Sequence, residues 1–326
     1  MSRPTISIHR PRPAPPQFVA AADAIHGLAR GLNSPFHRRP PPGFLRGIDF
    51  YSGFDLLHAM ANGMHGFHAA HGRYPDLLEP RTYPDKVFWR KFLSLTKVPE
   101  SGDKLNHGHF IPDRLKPLVL LPEVVWRSAL PRLPDDDEIE PGWYFLKANH
   151  GSRFNARVRF PLAADARDRL AAEAARWLAH AYGFGDGEWW YSLIPRRIFL
   201  ERSLSGPDPI VTWEFTVANG VLAGVNAVKR IGAVTHVAWM RDDLSVHDFQ
   251  DPAEYATVAP ARPADYGRLV ELVLEIARPF NFVRVDLHLV DGAIYLSELT
   301  LSPSNALAGR PPDFDRHLSA LWNVLE

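Results

Sequence analysis

The chain has 326 residues, of which 37 are Lys or Arg, 37 are Asp or Glu, 46% are hydrophobic and none is cysteine. That length predicts about two domains' worth of chain. The balanced charge gives no reason to invoke nucleic acid or an anionic membrane as partner. The lack of cysteine excludes disulfides, zinc–thiolate sites and a Cys nucleophile, and with no apolar run of ~20 residues and no signal-peptide layout, the expected compartment is the cytoplasm.

Proline is frequent, at 30 residues, and two basic Pro-rich pieces, RPRPAPPQ (10–17) and HRRPPPG (37–43), favour extended polyproline. Between them residues 18–32 carry a short helical pattern, with Ile25, Leu28 and Leu32 on one side. Residues 54–70 read as a helix in which His58, His65 and His68 fall near one face. A metal site there is disfavoured, because Asp55 is the only nearby carboxylate, Gly63 and Gly66 interrupt the stretch and Gly72 follows it. YPDKVFWRKFLSL (83–95) is an amphipathic helix started by Pro84-Asp85. DDDEIE (135–140) is an acidic loop, and residues 142–149 are a strand ending in the small polar loop Asn149-His150-Gly151-Ser152. A helix follows over 165–181 and a strand over 197–204.

Strands at 212–217 and 221–228 flank Asn219-Gly220, a strong hairpin signal, and 235–240 adds another strand. A helix over 264–277 is stopped by Pro279, and a last helix covers 313–325. Before that last helix, two strand-like runs flank Asp291-Gly292 in FVRVDLHLVDGAIYLSELTLSPSN (282–305). A sheet of this kind carrying helices is α+β rather than doubly wound α/β. No phosphate loop of the G-x-x-x-x-G-K-[ST] type is present.

The last hairpin carries the most chemistry. Alternation puts Arg284, Asp286 and His288 on one face, and pairing across the turn brings Asp286 close to Glu298. Two carboxylates sharing a site need a cation, and hard oxygen ligands suit Mg²⁺ with its nucleotide. Lys147 lies inside the apolar strand WYFLKAN and is expensive to bury without an anionic partner. The loop after it, Asn149 to Arg153, offers backbone N–H groups for an anion. Glu201 ends the strand RIFLE before the hinge-like Arg202-Ser203-Leu204, and Lys229-Arg230 closes the second hairpin with two more cations.

The order lysine, small loop, hinge, hairpin, lysine, R-x-D and glutamate resembles the ATP-grasp superfamily, and in detail its TupA-like family linked to teichuronopeptide and other polysaccharide biosynthesis. The segments that carry the resemblance are YPDLLEPRTYPDKVFWRKF, WYFLKANHGSRFN, RIFLERSLSG, WEFTVANGVLAGVNAVKR and FVRVDLHLVDGAIYLSELTLSPSN. It implies an α+β fold of two subdomains, with mostly antiparallel sheets gripping ATP. The implied division is a Pro-rich arm (1–50), a mainly helical domain (51–140), a small subdomain (141–205) and a large catalytic subdomain (206–326). Lys147 and Lys229 would contact ATP phosphates under a loop formed by Asn149, His150, Gly151, Ser152 and Arg153. Glu201, Arg202, Ser203 and Leu204 would contact adenine, and Asp208 would meet the ribose. Arg284 and Lys229 would stabilise the transferring phosphoryl group, and Asp286, Glu298 and Thr300 would hold Mg²⁺.

Three departures stand out. Thr300 replaces the usual asparagine. Asp103-Lys104 is followed by LNHGHF, without the family's arginine. Arg153 stands where glycine is common. The implied activity is an ATP- and Mg²⁺-dependent carboxylate–amine ligase forming an acyl phosphate, with an amino acid or amino sugar and a glycan precursor as substrates. His150 and His236 are the candidate general bases because imidazole titrates near neutrality. The alternatives are a kinase on the same scaffold or a non-catalytic nucleotide-binding assembly factor.

Overall fold

The computed structural model describes residues 42–51, 53–97, 102–249, 251 and 254–324. The helical pattern at 18–32 and both Pro-rich pieces, apart from Pro42-Gly43, lie outside these residues. The strands are β1 (Phe44–Leu45), β2 (Thr96–Lys97), β3 (Val119–Leu120), β4 (Val124–Ser128), β5 (Gly142–Ala148), β6 (Asn155–Phe160), β7 (Ile198–Arg202), β8 (Val211–Ala218), β9 (Val221–Ile231), β10 (Val234–Met240), β11 (Tyr255–Ala256), β12 (Phe282–Val290) and β13 (Ala293–Thr300). The helices are α1 (Gly47–Phe50), α2 (Gly53–His71), α3 (Tyr83–Leu93), α4 (Ala164–Ala179), α5 (Tyr266–Ala277) and α6 (Pro312–Leu321). Strands β1, β2, β3, β4, β6 and β11 and helix α1 are additions to the elements read from sequence.

Two main sheets result. The smaller runs β4-β7-β5-β6 and is wholly antiparallel. The larger runs β11-β10-β9-β8-β12-β13-β3 and is antiparallel except at its two edges, where β11 and β3 pair in parallel. The architecture is therefore α+β. Since β3 joins the large sheet and β4 the small one, the segment before residue 141 contributes to both sheets and is not purely helical. No helix among the described residues is long and apolar enough to cross a membrane.

Two hairpins set the register of the large sheet. Asn219 (φ 47°) with Gly220 (φ 75°), and Asp291 (φ 50°) with Gly292 (φ 80°), adopt the left-handed pairs that match strand twist in a two-residue turn. One face of this sheet is apolar. Trp213, Phe215, Val217, Val283, Val285 and Leu287 are buried there, and α5 packs against it through Leu269, Leu272, Val273 and Ile276. Helix α4 covers the small sheet through Leu170, Ala174 and Trp177. The opposite face of the large sheet is polar and carries the site.

Helix α3 braces that face. A reciprocal box between Thr82 and Asp85 caps it. Its buried cations Arg90 and Lys91 bind carbonyl and amide oxygens rather than carboxylates. Arg90 donates to Phe282 O (2.7 Å) and Leu301 O (3.3 Å), and Lys91 donates to Asp186 O (2.9 Å) and Asn305 Oδ1 (2.6 Å). Burial pulls the Lys91 ammonium down to about 8.

Candidate functional site

The register of β12 on β13 places Asp286 opposite Glu298 and Arg284 opposite Thr300. On the other side β8 sets Glu214 against Asp286 and Thr216 against Arg284. The register then slips between Asp286 and Leu287, leaving Ser297 unmatched. A bulge beside charged residues re-aims side chains at a strand end.

Arg284 is the hub. Its Nε and Nη2 donate to the two carboxylate oxygens of Asp286 at 2.8 and 2.7 Å, and its Nη1 lies 3.2 Å from Glu214. Nη2 also reaches Thr300 Oγ1 at 3.4 Å, so Thr300 acts here as a partner of the arginine. Burial works against the guanidinium's charge, but Asp286 and Glu214 outweigh it and hold Arg284 firmly protonated. Burial pushes the Asp286 carboxyl above its ordinary range, Glu214 adds to this, and Arg284 opposes it. Burial also acts upward on Glu298, yet Lys104 and Arg284 prevail and leave it below the usual carboxylate value.

Lys104 is a site residue that the strand-based reading did not single out. Its Nζ lies 3.2 Å from Glu298 Oε1 and donates to Gly151 O at 2.6 Å, linking the loop after β5 to β13. The sequence signal for it is Asp103-Lys104, the pair that the missing arginine would follow. Glu188 is another such residue. It is buried, accepts a hydrogen bond from the Ser302 hydroxyl, and burial raises its carboxyl.

Lys104, Glu188, Glu214, Arg284, Glu298 and Thr300 border a cavity of about 890 Å³ over the polar face, while Asp286 is buried beside it and held by Arg284. Glu214, Thr216, Asn226, Val228, Arg230, Arg284, Glu298 and Thr300 form its floor; Lys104, Ser152, Arg153 and Tyr182 stand at one end, and Trp239, Glu254, Arg310 and Phe314 at the other. Volumes of this size are typical of ligand clefts.

On the small sheet Lys147 has the anionic partner its burial demands: it forms an ion pair with Glu201 on the neighbouring strand. Both charges act on His288, which follows Asp286 along β12. The loop after β5 is shaped by Gly151 at φ 116°, where an added Cβ would come within 2.7 Å of the Tyr182 ring. Arg153 takes φ 63°, the left-handed region that explains why glycine suits this position.

Other expected site residues lie elsewhere. Asn149 is buried and its side chain is spent on Asp103 (2.9 Å), Pro195 O (3.1 Å) and the Arg197 N–H (2.8 Å), so it braces the loop's root and does not face a phosphate. His150 is buried, bonded to Trp177 O at 3.0 Å, and burial brings its imidazole down to about 4, which removes it as a general base. Arg202 turns outward to Glu123 (2.6 Å) and Glu140 (3.0 Å). Ser203 closes the following turn by donating to Gly206 O at 2.9 Å, Leu204 is half-buried, and Asp208 is exposed beyond it.

Strand β9 continues to Ile231, so Lys229 and Arg230 sit within it rather than at its close. Asn226, Val228 and Arg230 line the cavity; alternation therefore puts Lys229 on the other face. His236 pairs with Lys229 in register, lies tilted against the Tyr255 ring at 5.6 Å and does not border the cavity. His58, His65 and His68 are exposed on α2, and the described residues contain no group of three or more His, Asp or Glu able to hold a metal ion.

No protein-family profile matches this sequence, and no curated protein sequence matches it. Solved structures do align with it. A D-alanine–D-alanine ligase from Bacillus anthracis aligns at TM-score 0.43 and 16% identity over 69% of this chain and 66% of its own. An L-amino acid ligase from Bacillus licheniformis aligns at TM-score 0.40 and 14% identity over 70% and 50%. The ATP-grasp ligase PsnB, solved with a precursor peptide and AMPPNP, aligns at 0.33 and 11% over 62% and 50%. The chain thus spans less than two thirds of the length of each.

Proposed function

We propose that this protein is an ATP-grasp enzyme, an ATP- and Mg²⁺-dependent carboxylate–amine ligase that works through an acyl phosphate. One observation carries the reading. Arg284, Asp286 and Glu298 share the polar face of the large sheet, Lys104 closes on Glu298, and the Lys147–Glu201 pair acts on the same strand from the small sheet.

The residues present fit Mg²⁺. This ion is usually held by one or two carboxylates together with substrate phosphates and water. Asp286 and Glu298 supply that pair, and a larger protein cluster is not needed for a metal that arrives with its nucleotide. When bound it supplies charge neutralisation at the phosphates.

The remaining roles belong to the chain. Lys104 and Lys147 neutralise phosphate charge, and Gly151 to Arg153 cover the phosphates. Glu201 to Leu204 hold adenine through the hinge backbone, with Asp208 near the ribose. Arg230 takes the cavity-side place that the sequence pattern gave to Lys229. Arg284 stabilises charge as the γ-phosphoryl passes from ATP to a substrate carboxylate, giving ADP and an acyl phosphate. An amine then attacks the acyl carbon, phosphate leaves, and the amine proton passes to solvent. The work is positioning and fixed charge around the cavity. The TupA-like resemblance favours an amino acid or amino sugar joined to a glycan precursor.

Hydroxylamine trapping tests this. The enzyme is incubated with ATP, Mg²⁺, hydroxylamine and pooled amino acids and uronic acids. Acid-dependent hydroxamate matched by ADP is expected. Phosphorylation of a hydroxyl group, with no hydroxamate from any acid, would replace the ligase by a kinase.

A further inference from the structure

Amide formation needs a neutral amine, whereas an amino acid or amino sugar arrives mostly as an ammonium at neutral pH. No histidine among the described residues borders the cavity, so a proton acceptor has to come from its carboxylates. Glu298 is paired with Lys104 and Glu214 with Arg284. Asp251 and Glu254 belong to the far end, against Gly309 and Trp239. That leaves Glu188.

Glu188 ends a turn that begins at Gly183. Gly183 takes φ 73°, and a Cβ there would lie 2.7 Å from the Glu188 Cβ. The Glu188 N–H donates to Gly183 O at 2.9 Å and the Tyr191 N–H to Glu188 O at 3.2 Å, so the backbone holds the residue from both sides. Only 7% of Glu188 is exposed, and it borders the cavity. Oε1 accepts from the Ser302 hydroxyl. Oε2 has no hydrogen-bond or ion-pair partner among the described residues, yet it is not sealed off from the cavity. Lys91 acts on it through charge but donates to Asp186 O and Asn305 Oδ1 instead. A carboxylate buried this far without a counter-ion is costly, and a cationic ligand would compensate it. Burial also raises its affinity for a proton.

Its place in the cavity suits the chemistry. Glu298, Thr300 and Ser302 alternate along the chain, and all three border the cavity. Thr300 Oγ1 lies 3.4 Å from Arg284, and Ser302 follows two residues later, at most about 7 Å of extended chain. The Ser302–Glu188 contact therefore stands beside the place given above to the transferring phosphoryl group. Tyr182 and Tyr191, edge to face at 5.0 Å, also border the cavity, and aromatic rings suit a cation. The turn after Ser302 is strained, with Ser304, Asn305 and Ala306 at φ 52°, 53° and 63°, and such strain gathers at ligand sites.

We propose that Glu188 is the amine site of the ligase: its Oε2 binds the ammonium of the acceptor and takes its proton, while Ser302 positions the carboxylate. The proposal rests on the ligase reading above. One ammonium N–H bond breaks, its electron pair stays on nitrogen, and the proton goes to Oε2. That pair forms the C–N bond at the acyl carbon, and the C–O bond breaks with its electrons leaving on phosphate. The second amine proton passes to solvent, and Glu188 returns its own to solvent as product leaves.

Hydroxylamine makes the test selective, because it is already neutral near pH 7.5 and needs no general base. Wild type, Glu188→Gln and Ser302→Ala are given ATP, Mg²⁺ and pooled amino acids, amino sugars and uronic acids, with and without hydroxylamine. The readout is the ratio of amide to hydroxamate, by mass spectrometry. That ratio is expected to fall about 100-fold in Glu188→Gln and about tenfold in Ser302→Ala. The ligand-free melting temperature of Glu188→Gln stays or rises, because an unpaired buried charge is removed. A ratio equal to that of wild type in Glu188→Gln overturns the proposal, since both products then suffer alike or not at all. If Glu188→Gln does not fold, Ser302→Ala carries the same comparison. Wild type that makes hydroxamate but couples none of the pooled ammonium compounds also overturns this proposal alone. Wild type that makes neither product overturns the ligase reading as well.

Discussion

His150 makes the protein acid-sensitive in a way that can be isolated. Its ring is 1% exposed, and burial lowers the imidazole from 6.5 to about 4. Between those values the unfolded chain binds a proton that the folded chain refuses. The contribution is therefore complete above pH 6.5 and is lost as pH falls toward 4. The full span corresponds to roughly 3 kcal/mol, and most of it is gone by pH 4.5. Urea unfolding of wild type and His150→Gln at pH 7.5 and 4.5 gives the double difference, in which every other titrating group cancels. At pH 7.5 the variant loses about 1 kcal/mol, from a poorer bond to Trp177 O. On acidification it loses about 2–3 kcal/mol less than wild type. Equal acid losses in the two proteins would refute the claim that this imidazole is held neutral by burial.

Three further outcomes are expected. Arg230→Ala weakens Mg²⁺·AMPPNP binding about tenfold, measured by calorimetry, while Lys229→Ala leaves it within twofold, since only Arg230 lies on the cavity face. Lys91 is lowered to about 8 by burial, so wild type gains stability relative to Lys91→Met as pH rises from 8 to 10.5, seen as diverging denaturation midpoints. Gly224→Ala lowers stability by about 1–3 kcal/mol, because its Cβ would meet the Phe314 ring at 2.5 Å and Met240 O at 2.9 Å.

Local rules carried much of the fold. Asp291-Gly292 fixes one hairpin and brings the Asp286 and Glu298 ends of its strands together, and the slip after Asp286 then sets the two carboxylates directly opposite. The lysine inside WYFLKAN required an anion, and Glu201 on the next strand provides it. What local rules missed was supplied by distant chain. Lys104 reaches Glu298 across 194 residues and Ser302 reaches Glu188 across 114, pairings that no spacing encodes. Asn149 and His150 read as an exposed polar loop because their partners, Asp103, Pro195 and Trp177, come from three other segments. Lys229 shows a subtler limit. Alternation says that Lys229 and Arg230 face opposite ways, but which one meets the cavity depends on strand register, and a bulge at Thr216/Val217 shifts it.

The central claim is a Mg²⁺-dependent nucleotide site built on Asp286 and Glu298. Its most direct test is AMPPNP binding to wild type and Glu298→Gln, each with and without Mg²⁺. The account predicts tight binding by wild type only when Mg²⁺ is present, and loss of that dependence in Glu298→Gln. Binding that is indifferent to Mg²⁺, or unchanged in the variant, would contradict it.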